Sequence, residues 1–466
     1  MNPKLIVVSR RYRWTTVVVG SICLSVLIAV GIRRGAAAGE DGMPYVVQHY
    51  PDFGFLPPPT EYKGRVFTLS QKYPKTEPNA ASRPEFLRID FKEHWRDYLL
   101  AAQDYCFQDN VQGGDLANDF DAALREAPAW FHVPWQHYTP NGREGVHGLT
   151  KEAPVQSQQL AISQTYKGGQ MYAVGLYNAF GGYTIGKVWA DKEHPNSKDI
   201  RFPIGTVVMK VLFTDVPTDQ VPSLANPLLW KAYVTENYGS TTRVFKEMAL
   251  VQMDLMVRDD RAPFGWVFGN YQYNGKTNHT NKWKNLVPLG IQWGNDPELN
   301  DGTWGEFTNP VPVITRRNPN LKQTIINPDD SELPPTHLGW NGRLNGPADN
   351  YLSSCMSCHM TAEAPAKSPM SPLFFPTPAQ VPQVGSKEWM RWFQNMKCGE
   401  RFDTDKSTSS TDFSLQLAAS VQNFFNWRNE GSKMVADRYK QNQKQNANPE
   451  LEYNVCRARD QEAQKH

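Results

Sequence analysis

The residues with the clearest chemistry lie together at Ser353-Ser354-Cys355-Met356-Ser357-Cys358-His359-Met360. Two thiols at this spacing can add across the two vinyl groups of one porphyrin, and the adjacent imidazole then sits under the iron. The pattern predicts one haem c, covalent through Cys355 and Cys358, with His359 as an axial ligand. Other readings compete. A zinc site wants four ligands, and no second C-x-x-C or H-x-H pair is present. A redox-active dithiol wants a βαβ setting, which Thr361-Ala362-Glu363-Ala364-Pro365-Ala366 does not supply. An accidental or structural pair is the blandest reading. Against it stands an N-terminal export segment, because haem attachment of this kind takes place beyond the membrane.

The sixth iron position stays open. A thioether there raises the potential and suits electron transfer; an empty face suits gas binding or catalysis. Met370, Met390 and Met396 lie downstream, with Met396 and Met370 the candidates best placed to fold back over the haem. Methionine is also a common core filler. An upstream histidine is a further alternative. Trp130 to Thr150 gathers His132, His137, His147, Arg143 and Glu144 in an aromatic loop. Their spacing matches no metal motif, and the plainer reading is half-buried histidines held by Trp130 and Trp135. His337, near Trp340 and Arg343, is either a propionate neighbour or an ordinary loop histidine. No phosphate-binding loop or nucleophile elbow is present.

These residues must be positioned on the correct side of a membrane. Trp14 to Ile32 is an uncharged apolar run preceded by Lys4, Arg10, Arg11 and Arg13, which the positive-inside rule keeps in the cytoplasm. It reads as a transmembrane anchor, or as a signal segment cut after Ala36-Ala37-Ala38. Either places the body outside the cytoplasmic membrane, in the periplasm. Of six cysteines, Cys23 lies in the apolar run, and Cys106, Cys398 and Cys456 are left after the motif. Cys398 with Cys456 is the preferred pair, leaving one thiol over. A formal net charge of +2 without a basic run in the body argues against a nucleic-acid partner.

The 466 residues divide into an N-terminal membrane segment (1–38), an extended Pro-rich linker (39–90), a β-rich domain with short helices (91–340) and a haem-binding helical segment (341–466). Glu93 to Phe107 has helical spacing, with Trp95, Leu99 and Ala102 on one stripe; a second short helix is expected over Asp119 to Glu126. Gln170 to Phe180 and Tyr183 to Trp189 flank Gly181-Gly182 and read as a hairpin. Thr206 to Phe213 is a β-branched strand. Val251 to Val257 alternates apolar residues with Gln252 and Asp254, as a half-buried strand does. Gly265 to Tyr273 and Leu286 to Trp293 continue an antiparallel series. After the motif, one helix is expected from a Ser386 cap and another over Phe413 to Trp427.

The run FPIGTVVMKVLF, then ALVQMDLMVRD, PFGWVFGNYQYNGK and C-M-S-C-H, resembles the layout of the β-sheet cytochromes c-prime. That family joins an antiparallel sheet to one haem near its C-terminal end, and includes gas-binding and hydroxylamine-oxidising members. The resemblance covers about residues 170–360. It departs where over a hundred residues follow the motif and a large segment precedes the strands. Catalytic members carry a lysine joined to the haem, and Lys210 is the nearest analogue by context.

The expectation is an α+β chain: an antiparallel β-rich domain, a mostly helical haem-bearing C-terminal segment and an N-terminal transmembrane helix. As a c-type cytochrome it would pass electrons to a redox partner protein. The alternative is a haem enzyme or gas-binding protein whose open iron site acts on a small nitrogen or oxygen species.

Overall fold

A computed structural model of the chain describes residues 45–47, 50, 54–108, 129–136, 142–300, 317–335 and 338–428, all belonging to one compact unit. The elements in chain order are β1 (Tyr45–Val47), β2 (Lys72–Pro74), α1 (Trp95–Phe107), β3 (Thr150–Val155), β4 (Gly169–Tyr177) and α2 (Ala179–Val188). Next come β5 (Val207–Thr214), β6 (Leu229–Thr235), β7 (Arg243–Arg258), β8 (Trp266–Tyr273), β9 (Leu286–Gln292) and β10 (Thr324–Ile326). Then follow α3 (Cys355–His359), β11 (Glu363–Ala364), α4 (Lys387–Met390) and β12 (Ser409–Ser410). A last helix, α5, covers residues 415–428.

Eight strands form one antiparallel sheet in the order β10-β9-β8-β7-β5-β4-β3, with β6 paired to the first half of the long β7. Successive side chains point to opposite faces, so the register separates two environments. Val174, Met209, Val211, Met253, Leu255 and Tyr271 share a core with α1. Tyr98, Leu99, Ala102 and Cys106 of α1 are buried, three or four residues apart, as an amphipathic helix requires. Buried Gln103 fixes that helix to the start of β9, donating to the carbonyls of Trp283 (2.8 Å) and Leu286 (3.1 Å).

The opposite face carries Tyr177, Val208, Met256 and Phe268, in a second core with residues of α3, the segment after it and α5. Between these apolar positions lies a polar row. Gly175, Lys210, Asp254 and Asn270 pair directly across β4, β5, β7 and β8.

Several expectations are corrected. The segment after residue 340 is not mostly helical: α3 has five residues and α4 four, and only α5 is longer. Prolines at 365, 369, 372, 376, 378 and 382 explain this, since each removes a backbone donor and clashes with a preceding turn. The fold is a large antiparallel β-sheet with few helices. The transmembrane helix is corrected too: among the described residues no helix is long and apolar enough to cross a membrane. The 13 residues of α1 span about 20 Å at ~1.5 Å per residue, short of ~30 Å. Trp14 to Ile32, and the helix expected over Asp119 to Glu126, lie outside the described residues.

The expected hairpin at Gly181-Gly182 is instead α2. Asn178 caps it, accepting from the Gly181 amide (3.3 Å) while its own Nδ2 donates to the Gly205 carbonyl (2.8 Å). Gly182 serves close packing here: a Cβ there would meet the Phe131 ring at 2.6 Å. Within the stretch read as a linker, Tyr50, Phe55, Leu69 and Tyr73 are buried.

Candidate functional site

The short helix α3 is built by its own sequence. Ser354 is the N-cap: its Oγ accepts from the Ser357 amide (3.2 Å), and Ser357 Oγ accepts from the Ser354 amide (2.7 Å), a reciprocal capping box. Ser354 Oγ also donates to Asn295 Oδ1 (2.8 Å), and the Met356 amide donates to Gln292 Oε1 (3.2 Å). These contacts dock α3 on the end of β9. Replacing Ser354 with Ala is expected to cost about 0.5–2 kcal/mol, seen as an earlier urea midpoint at unchanged slope.

Helical spacing then sorts the motif. Met356, Ser357 and Met360 are buried beneath, while Cys355, Cys358 and His359 are half-buried on the other side. Those three side chains line one cavity of about 920 Å³ over the polar row of the sheet. Its size is near the top of the ~300–1,000 Å³ range of cofactor and ligand sites. Lys210, Asp254, Asp349, Phe268 and Gln416 also line it.

His359 is oriented from its far side. Its Nδ1 lies 2.9 Å from the Phe413 carbonyl. A carbonyl only accepts, so Nδ1 carries the proton and Nε2 keeps its lone pair, the arrangement of a metal-ligating histidine. The β11–β12 ribbon brings the Phe413 carbonyl there, extended by the Thr411 amide bonding to the Ala362 carbonyl (2.9 Å). Asp412 (φ 53°) and Phe413 (φ 68°) both occupy the left-handed region, at a cost of order 1–3 kcal/mol each. Burial pushes the His359 imidazole down to about 4; the Phe413 bond opposes this and the Lys210 charge adds to it. The ring is therefore neutral at pH 7 and able to ligate.

The two thiols behave differently from a redox or metal-thiolate pair. Burial pushes Cys358 up to about 11, and raises Cys355 well above its ordinary value, with Asp254 and Asp349 adding to the effect. Protonated thiols are poor nucleophiles and poor ligands for a bare ion. Among the described residues no group of three or more His, Cys, Asp or Glu side chains could hold a metal ion. The expected metal-binding character is corrected to that extent: α3 offers one neutral imidazole and two protonated sulfurs, not a ligand group for a bare ion. A metalloporphyrin asks for less, since its own nitrogens supply four donors, and this set fits it.

Beside α3 lies a half-buried ionic network. Lys210 Nζ is 3.3 Å from Glu152 Oε1. Burial alone would lower the lysine, but Glu152, Asp254 and Asp349 outweigh it and raise its pKa. Gln252 Nε2 donates to Asp254 Oδ1 (2.6 Å) and Asp349 Oδ2 (2.7 Å), and Asn270 Nδ2 donates to Asp254 Oδ1 (2.6 Å). Burial and mutual repulsion hold Asp254 well above the carboxylate range, and burial raises Asp349.

The other residues singled out above are dispersed. Met370 lines the cavity; Met396 is buried in the core with Trp389, Trp392 and Phe393. His147 stacks on Trp230 with centroids 4.3 Å apart, and buried His132 packs edge-on against Phe67 (5.2 Å). Neither lines the cavity. His137, His337 and Cys456 lie outside the described residues, and Cys398 forms no disulfide among them. Arg343 is structural, donating to the Asn295 (2.6 Å) and Asp296 (2.7 Å) carbonyls. Lys210, an analogue by context, does line the cavity.

The network of Glu152, Asp254 and Asp349 escaped the sequence. Asp254 and Gln252 read there as the wet side of a half-buried strand, whereas Gln252 is fully buried and Asp254 lines the cavity. No protein-family model, curated protein or solved structure matches this chain. The resemblance to the β-sheet cytochromes c-prime thus rests on the residues quoted for it.

Proposed function

We propose that this chain is a monohaem c-type cytochrome acting in electron transfer. Cys355 and Cys358 would hold the haem through thioethers, and His359 Nε2 would ligate its iron. One observation carries the reading: both sulfurs and the imidazole of C-M-S-C-H enter one cavity, and the Phe413 carbonyl sets the tautomer a ligating histidine needs. When bound, haem supplies one-electron redox chemistry. The protein holds it, keeps the imidazole neutral and encloses it between the sheet and α5. An antiparallel sheet with the motif near one end also supports kinship with the β-sheet cytochromes c-prime. The apolar run at residues 14–32, with basic residues before it, supports export, and a redox protein is the implied partner.

A second reading is a haem protein that binds a small nitrogen or oxygen species. It is favoured by the ionic network in the cavity wall, and by His359 being the sole histidine at that wall among the described residues. Optical spectra of the reduced protein before and after carbon monoxide separate the two. For the electron carrier, with Met370 or another side chain as sixth ligand, no change is expected on adding the gas. A new carbon monoxide spectrum would make gas binding or catalysis the function.

A further inference from the structure

The pair of carboxyls in the cavity wall is joined through one buried side-chain amide. Gln252 has one amide hydrogen on each carboxylate, Asp254 (2.6 Å) and Asp349 (2.7 Å). Its orientation is fixed because its Oε1 accepts from the Ala348 amide (2.9 Å), which can only donate. The bridge depends on a glycine: a Cβ at Gly346 would meet Gln252 Oε1 at 2.0 Å, and the Gly346 amide itself donates to Asp349 (3.1 Å). In the same network Asn270 is fully buried, and its Oδ1 has no partner among the described residues. Lys210 lies opposite Asp254 across the strands and pairs with Glu152, whose side chain is 37% exposed.

We infer that Asp254 and Asp349, joined through the amide of Gln252, act as one proton-binding unit that takes up a proton when the cavity's haem gains an electron. The inference rests on the haem reading above. The balance is simple. One electron arrives from an external one-electron donor, one proton comes from bulk water, and one O–H bond forms at a carboxylate; reoxidation returns both. The added negative charge favours protonation of any carboxyl in a low-dielectric wall. Two carboxyls sharing a site titrate as a pair, in macroscopic steps.

Facing the pair are Lys210 from β5, Glu152 from β3 and Cys355 and Cys358 from α3; His359 and Glu363 stand further round the wall. Tyr177 and Tyr351 are held above the ordinary phenol range. The thiols are held high or consumed by attachment. Among the groups lining the cavity with a resolved shift, the carboxyls moved up from their ordinary range are Asp254, Asp349 and Glu363, and only the first two share the Gln252 bridge.

Spectroelectrochemistry of the haem-loaded protein across pH tests this. For a one-proton, one-electron couple, each tenfold fall in proton concentration lowers the potential by about 59 mV. That slope is expected in the wild type over a window above the ordinary carboxylate range. It is expected to flatten in the Asp254→Asn/Asp349→Asn variant. A flat wild-type profile, or an unchanged slope in the double variant, overturns the inference. Reduced-minus-oxidised infrared spectra of the wild type need no variant. A protonated carboxyl stretch that appears on reduction and shifts in heavy water supports the pair, and its absence overturns it. A protein with no haem band sinks the haem reading as well, whereas haem with a flat potential sinks only the proton pair.

Discussion

Serine at both Cys355 and Cys358 is expected to give a folded chain with no covalently held haem, even when it is co-expressed with a haem-attachment system. Both side chains are half-buried at the cavity wall, and although Cys355 packs against a core, serine differs from cysteine by one atom of similar size and opens little space. Stability should fall by about 1 kcal/mol, the centre of the range for single substitutions. Each single variant should keep one thioether and therefore keep the haem mass. The discriminating signal is haem staining on a denaturing gel: strong for the wild type, retained in the single variants and absent from the double. Retained staining in the double variant would mean that these cysteines are not the attachment points.

Replacing Lys210 with Met is expected to be the most destabilising change in the cavity wall. The lysine is the cation facing Glu152, Asp254 and Asp349. Removing one partner of a fully buried charge pair costs about 3–5 kcal/mol, and a smaller cost is expected here because the Lys210 and Glu152 side chains are 31% and 37% exposed. The sign with pH follows from linkage. Asp254 and Asp349 have folded pKa values above their unfolded ones, so the native state binds more protons over that window and stability falls as pH rises through it. Without Lys210 their pKa values rise further and the window widens. Lys210, itself raised, contributes stability that is lost only when pH rises through its folded pKa. The deficit of Lys210→Met should therefore be largest near about pH 8 and smaller near about pH 5 in urea titrations. A deficit that grows toward acid would contradict this electrostatic account.

Much of the sheet was legible because period-2 patterns are local. Val251 to Val257 falls within β7, and Gly265 to Tyr273 and Thr206 to Phe213 match β8 and β5 within a residue. Ser386 caps α4, accepting from the Trp389 amide (3.2 Å) as its position implied. Gly181-Gly182 misled because two glycines signal a turn or close packing equally well. The α+β expectation failed after residue 340, where apolar residues at helical spacing are interrupted by prolines. The membrane helix was drawn on residues outside those described.

The site divides in the same way. Cys355, Cys358 and His359 are adjacent in sequence, and a five-residue helix delivers them together. The partner of His359 is a backbone carbonyl 54 residues away, and a carbonyl has no sequence signature. The network draws Glu152, Lys210, Asp254 and Asp349 from β3, β5, β7 and the loop before α3, so only topology reveals it. Asp254 shows the limit most clearly: alternation correctly placed it opposite Met253 and Leu255. Whether that opposite face is wet or covered is decided by a segment a hundred residues downstream.

The central claim is covalent haem at this motif. It is tested most directly by the mass of the intact wild-type protein, produced with a haem-attachment system, followed by tryptic mapping. The account predicts one added haem per chain, carried by the single peptide Leu344–Lys367 that contains both motif cysteines. A chain of unmodified mass, or a haem on a peptide bearing Cys106, Cys398 or Cys456, would contradict it.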